Sequence, residues 1–204
     1  MFDLLALCAF AYLLGSIPSA ALVAKWRGRE IFTVGSGNMG AMNTARNLNR
    51  SLGALVLALD VGKGSLAAFA GVRLADYLGR ADAFALVFPV AAGLCAVLGH
   101  CFSIFVGFKG GKGLATTLGI ALPVYPLAGL YGLVLLASLY LISRRAALAS
   151  VLTILLYPLL VQLTLDRLGW PREESFVVLT GLLAVAAVVL LKHLMARRVP
   201  ADAP

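Results

Sequence analysis

Residues 105–117 read FVGFKGGKGLATT, with four glycines and two lysines between apolar runs. Gly110, Gly111 and Gly113 let main-chain amides approach phosphate oxygens, and Lys109 and Lys112 supply neutralising charge. The helix expected to follow offers the positive end of its dipole, with Thr116 in its first turn. A second stretch, GSGNMGAMNTARN at 35–47, sets Gly40 and other small residues among the short polar side chains of Ser36, Asn38 and Asn43. Arg46 closes it with a group that grips phosphate through two parallel hydrogen bonds. The blander readings are a linker rich in turn formers and a basic loop that serves only membrane orientation. A nucleotide P-loop is excluded by spacing. That motif needs a glycine six residues before its lysine. Val106 stands there for Lys112, and Leu57 for Lys63.

Asp60 and Lys63 interrupt an apolar segment, where charge is expensive and is kept for function or pairing. Their spacing of three puts both on one helix face. An ion pair tying helices together and direct substrate contact are both open. The two histidines, His100 and His193, fall at expected helix ends. Facing one polar cluster, they could serve as acid, base or phosphate donor. Two histidines without a cysteine or carboxylate cluster are too few for a metal site. Cys8, Cys95 and Cys101 read as small apolar fillers.

These groups must be held by helices in lipid. Hydrophobic residues make up 61% of the 204, charged residues only 13%, and mean hydropathy is +0.96. A soluble domain carries about 25% charged residues. The fold expected is an all-α integral membrane protein, a single polytopic domain over 1–204. A net charge of +8 then reflects orientation and attraction to anionic lipid or substrate, not nucleic acid. The first apolar run lacks a basic leader and is followed by Lys25, Arg27 and Arg29, so it is expected to stay in the membrane. Hydropathy places helices near 3–24, 52–75, 83–100, 114–124, 126–142, 147–167 and 175–195. Pro123 and Pro126 split 114–142, and two crossings there keep Arg144 and Arg145 with the other basic residues. The expectation is seven helices, N-terminus outside and C-terminus cytoplasmic. Segments 25–51, 99–113, 143–147 and 192–198 then share the cytoplasmic face, where the chemistry belongs.

The motifs AYLLGSIPSA, GSGNMGAMNTAR, LDVGKG and GHCFSIFVGFKGGKGLAT occur in one order. In that order they resemble bacterial acyl-phosphate:glycerol-3-phosphate acyltransferases of the PlsY type, strongly over residues 11–118 and weakly beyond. The resemblance implies transfer of a fatty acyl group from acyl phosphate to the 1-hydroxyl of sn-glycerol 3-phosphate. The products are lysophosphatidic acid and phosphate, made without a cofactor in the bacterial plasma (inner) membrane. Both substrates and membrane lipid are the implied partners. By resemblance Ser36, Arg46, Lys109 or Lys112, and His193 contact glycerol 3-phosphate, and the amides around Gly110, Gly111 and Gly113 receive phosphate. Asn38, Gly40, Asn43, Asp60, Lys63, His100, Thr116 and Arg144 join them as binding residues.

The chain departs from that pattern at several places. Met42 stands where the family has threonine, and Ser103 where it has proline. Ala147 replaces a serine after Arg144, and Ala196 an asparagine after His193. A paralogue with altered substrate or weak activity is therefore one alternative. A transporter or binder of a phosphorylated solute is another, although a transporter calls for polar residues deep in several helices and only Asp60 and Lys63 come close. The sequence sets no oligomeric state, and a monomer is the simplest reading.

Overall fold

In lipid the backbone must satisfy its own hydrogen bonds, so an apolar chain folds as helices. The computed structural model describes residues 1–195 and shows nine α-helices among them, with no strand. They are α1 (Phe2–Ser16), α2 (Ser19–Trp26), α3 (Ala41–Asn47), α4 (Arg50–Tyr77) and α5 (Val87–Cys101), then α6 (Leu114–Val124), α7 (Pro126–Ser143), α8 (Ala146–Arg167) and α9 (Arg172–Met195). Six stretches are long and apolar enough to cross a bilayer: Phe2–Trp26, Arg50–Tyr77, Ala83–Cys101, Pro126–Ser143, Ala146–Arg167 and Arg172–Met195. Of the seven expected segments, only α6 is short. Its 11 residues make about 16 Å of helix, against a hydrocarbon core of about 30 Å.

The first segment, expected as one helix over 3–24, is broken. Pro18 has no amide to donate, and it holds Ile17 at φ −54°, ψ 115°, outside the helical region. The break frees two carbonyls. That of Ser16 accepts from the Ser103 hydroxyl, and that of Ile17 accepts from Lys63 Nζ at 3.0 Å. The segment 25–51, expected as loop, contains α3 and a 3₁₀ turn at Ile31–Thr33.

Water does not press membrane helices together, so close fit between small residues does that work. Gly64 of α4 lies against the backbone of Thr116, and Gly119 of α6 against that of Val61. Gly15 of α1 meets Ala96 of α5 in the same way. Gly71 packs on Pro89 toward one end of the α4–α5 pair, and Asp60 lies beside His100 toward the other. These two helices are therefore antiparallel. Beyond them, Tyr125, Val161, Leu165 and Val178 form a core that joins α8 and α9 to the α6–α7 junction. The Trp170 ring packs against Tyr125 with centres 5.4 Å apart and planes tilted by 42°.

Candidate active site

The first loop is built around one side chain. Asn43, buried in α3, donates from Nδ2 to the carbonyls of Val34 at 2.9 Å and Asn38 at 3.1 Å. Its Oδ1 accepts from the Ser36 amide at 3.1 Å and from Asn47 Nδ2 at 2.9 Å. Gly35 and Gly37, at φ +59° and +63°, supply the left-handed turns this wrapping requires. Asn43 thus spends its amide on shaping the loop. Ser36 and Arg46 stay exposed beside it.

The second loop leaves α5 at Cys101 and turns back at once. Ser103 and Lys109 pair as an isolated bridge, with the Ser103 amide donating to the Lys109 carbonyl at 3.1 Å. The Phe108 amide donates to the Ser103 carbonyl at 2.8 Å, which holds Phe108 at φ +58°. Gly111 donates its amide to the His100 carbonyl at 3.1 Å. That differs from the expectation that Gly111's own amide faces phosphate: a buried amide needs a partner, and the α5 carbonyl is nearer. The amides of Gly110, Lys112 and Gly113 carry no backbone hydrogen bond among the described residues. Lys109 is exposed, its ammonium 5.4 Å from the centre of the Phe32 ring on the first loop. Lys112 is half-buried, and burial pushes its ammonium below the ordinary lysine value.

Three segments distant in sequence converge here. A β-carbon on Gly111 would lie 2.6 Å from the Met39 carbonyl, so the first loop abuts the second. One on Gly113 would lie 3.1 Å from Val189, so the end of α9 abuts it too. There His193 Nδ1 donates to the Val189 carbonyl at 2.8 Å. In the neutral ring this leaves the lone pair on Nε2, a buried atom with no partner among the described residues. Lys112 lies within electrostatic reach of that ring. Lys192 sits 4.5 Å above the Phe102 ring, and the Tyr12 hydroxyl donates to the Phe102 carbonyl at 2.8 Å, so α9 and α1 both clamp the second loop.

Other expected site residues lie elsewhere. Asp60, Lys63 and His100 are 2%, 4% and 3% exposed, so they sit beneath the loop and not at its surface. For Asp60 and Lys63 an ion pair and substrate contact were both open, and the structure pairs them with each other. His100, expected as a binding residue, is enclosed beside them. Thr116 is fully buried in the α4–α6 crossing. Arg144 is exposed in the α7–α8 turn at φ +54°, and no hydrogen bond or ion pair joins it to either loop among the described residues. Ala196 and the rest of segment 192–198 beyond Met195 lie outside the described residues. Sequence reasoning missed Tyr12, Phe32 and Met39 as loop supports. Tyr12 and Met39 fall inside two of the quoted motifs, which was the one available signal.

The glycerol-3-phosphate acyltransferase family model matches residues 5–198. A glycerol-3-phosphate acyltransferase of Geobacter sulfurreducens is 39% identical over 193 residues, 95% of this chain and 91% of that one. One from Aquifex aeolicus is 36% identical over 187 residues, covering 92% and 90%. The crystal structure of PlsY, an integral membrane glycerol 3-phosphate acyltransferase in its glycerol 3-phosphate form, superposes with a TM-score of 0.78 at 34% identity. That match covers 94% of this chain and 88% of PlsY. A second PlsY structure, in the lysophosphatidic acid form, gives 0.76 at 33% identity. The chain belongs to the glycerol-3-phosphate acyltransferase family.

Proposed function

We propose that this integral membrane protein transfers a fatty acyl group from acyl phosphate to the 1-hydroxyl of sn-glycerol 3-phosphate. The observation that carries the reading is the meeting of the Ser36–Arg46 loop, the Lys109–Gly113 loop and His193 at one end of the bundle. Arg46 and Lys112 hold the acceptor's phosphate, and the amides of Gly110, Lys112 and Gly113 supply further donors. The lone pair of His193 Nε2 accepts the hydrogen bond of the attacking hydroxyl. The glycerol oxygen bonds to the acyl carbon, and the bond from that carbon to the phosphate oxygen breaks. The hydroxyl proton passes to His193 Nε2 as the new bond forms and from there to the departing phosphate. Because an acyl phosphate is already a mixed anhydride, orientation and charge stabilisation suffice and no covalent intermediate is needed.

The bundle crosses the bacterial inner membrane seven times in this reading, with the N-terminus outside and the C-terminus and both loops facing the cytoplasm. The excess of Lys and Arg in segments 25–51, 99–113 and 143–147 supports it. Purified protein given acyl phosphate and glycerol 3-phosphate should release phosphate and lysophosphatidate in equal amounts. Faster transfer from an acyl thioester than from acyl phosphate would sink the donor assignment. Phosphate release without lysophosphatidate would sink the acceptor.

A further inference from the structure

Beneath the second loop runs a buried polar chain that the reaction itself does not use. Lys63 Nζ lies 2.9 Å from Asp60 Oδ1, with both side chains almost wholly enclosed. The same ammonium donates to the Ile17 carbonyl at the α1–α2 break. Asp60 Oδ1 is 3.5 Å from His100 Nδ1. His100 then meets the loop twice: its carbonyl accepts from the Gly111 amide at 3.1 Å, and its ring edge abuts the Gly111 α-carbon. A β-carbon at Gly111 would overlap His100 Nε2 outright. The chain from Ile17 to Gly111 therefore crosses three helices and ends on the backbone next to Lys112.

We propose that His100, oriented by Asp60 and Lys63, is a positioning residue for acceptor binding. It sets the height of the Gly111 backbone, and so where Lys112 and the adjoining amides stand, without touching substrate. The inference rests on the reading that this loop holds the phosphate of glycerol 3-phosphate. Enclosing an ion pair costs desolvation that its own attraction barely offsets, so such a pair is poorly explained by stability alone. Its geometry is what the loop inherits. A mere strut between helices would not need the ring to press on Gly111. Asparagine at 100 keeps a polar nitrogen facing Asp60, as His100 Nδ1 does at 3.5 Å, but leaves the ring-edge position empty. Glutamine reaches toward Gly111 and gives up the Asp60 partner.

The test uses the full chain in lipid nanodiscs, with thermal stability, steady-state kinetics and calorimetric binding of glycerol 3-phosphate for the parent, His100→Asn, His100→Gln and Asp60→Asn. A positioning role raises both Kd and KM for glycerol 3-phosphate about ten-fold in His100→Asn, while KM for acyl phosphate moves less than about two-fold. Gly111→Ala should also cost less in the His100→Asn background than in the parent, because one of its two clashes is gone. If His100→Asn does not fold, Asp60→Asn and His100→Gln carry the same expectation in milder form. Lowered stability with unchanged Kd and KM overturns the proposal, as does an equal rise in KM for both substrates. Failure of the underlying reading shows separately, as a parent that neither binds glycerol 3-phosphate nor makes lysophosphatidate.

Discussion

The Ser36 amide is held by the Asn43 side chain at 3.1 Å, and the same side chain ties down the carbonyls of Val34 and Asn38. A side-chain amide accepts at its oxygen and donates two hydrogens from its nitrogen. Asn43→Asp keeps the bond to Ser36, loses both donors and brings negative charge to the proposed phosphate site. Both carbonyls keep a backbone partner, Gly37 for Val34 and Gly40 for Asn38, so each lost side-chain bond costs about 0.5–1.5 kcal/mol. We expect kcat/KM to fall by at least ten-fold, with Asn43→Ala similar and Asn43→Gln no better. Parental kinetics in Asn43→Asp would show that Ser36 needs no such support.

Arg46→Lys keeps the charge at the end of α3 and removes the planar fork. KM for glycerol 3-phosphate should rise about ten-fold, equivalent to about 1.4 kcal/mol of lost binding, with a smaller effect on acyl phosphate. Steady-state kinetics with each substrate varied separately decides the matter. An unchanged acceptor KM would remove Arg46 from the site.

The loops and spans were legible for different reasons. Lipid allows so few backbone solutions that hydropathy alone locates the apolar segments, and their ends fall within a few residues of the helices observed. The Pro18 break was in plain sight but was read through, because an apolar run outweighs one proline in a hydropathy window. Helix α3 was missed because seven residues, Ala41–Asn47, show no apolar period. The spacing of Asp60 and Lys63 put both on one helix face and left their pairing and substrate contact equally open. The approach of His100 to Asp60 depends on the register of α4 against α5, and nothing local encodes that. The commitment of Asn43 and Gly111 to the scaffold was equally hidden, since a residue type does not say which partner it meets.

Ser103 occupies a position where the family pattern has proline, and its φ of −69° already suits a proline ring. It also makes two bonds that proline cannot: its hydroxyl donates to the Ser16 carbonyl and its amide to Lys109. Ser103→Ala should lower stability by about 1 kcal/mol through the first bond. Ser103→Pro loses both and should loosen Lys109 as well. Thermal melts and the acceptor KM of the two variants, measured side by side, check the order. A Ser103→Pro protein as stable as the parent would mean that rigidity of the ring compensates fully.

Burial lowers the Lys112 pKa, with a consequence for pH dependence. Phosphate is attracted to the ammonium and not to the amine. The contribution of Lys112 to acceptor affinity is therefore complete below its lowered pKa and lost as pH rises through it. The alkaline fall in 1/KM for glycerol 3-phosphate should begin below the ordinary lysine range of about 10.4. Lys112→Arg, charged throughout, should move that fall to higher pH. An alkaline limb unaffected by Lys112→Arg would assign it to another group.

The brevity of α6 has a bearing on how the reaction avoids waste. An 11-residue helix covers about half the hydrocarbon thickness, and its far end at Tyr125 packs against Trp170 of the α8–α9 connection. In the seven-crossing reading the proposed phosphate loop at its start would therefore be the end sunk below the headgroups. A membrane-anchored donor could then meet its acceptor without being lifted into bulk solvent. Few water molecules would compete with the glycerol hydroxyl for an activated carbonyl, and futile hydrolysis would be held down by the depth of the loop.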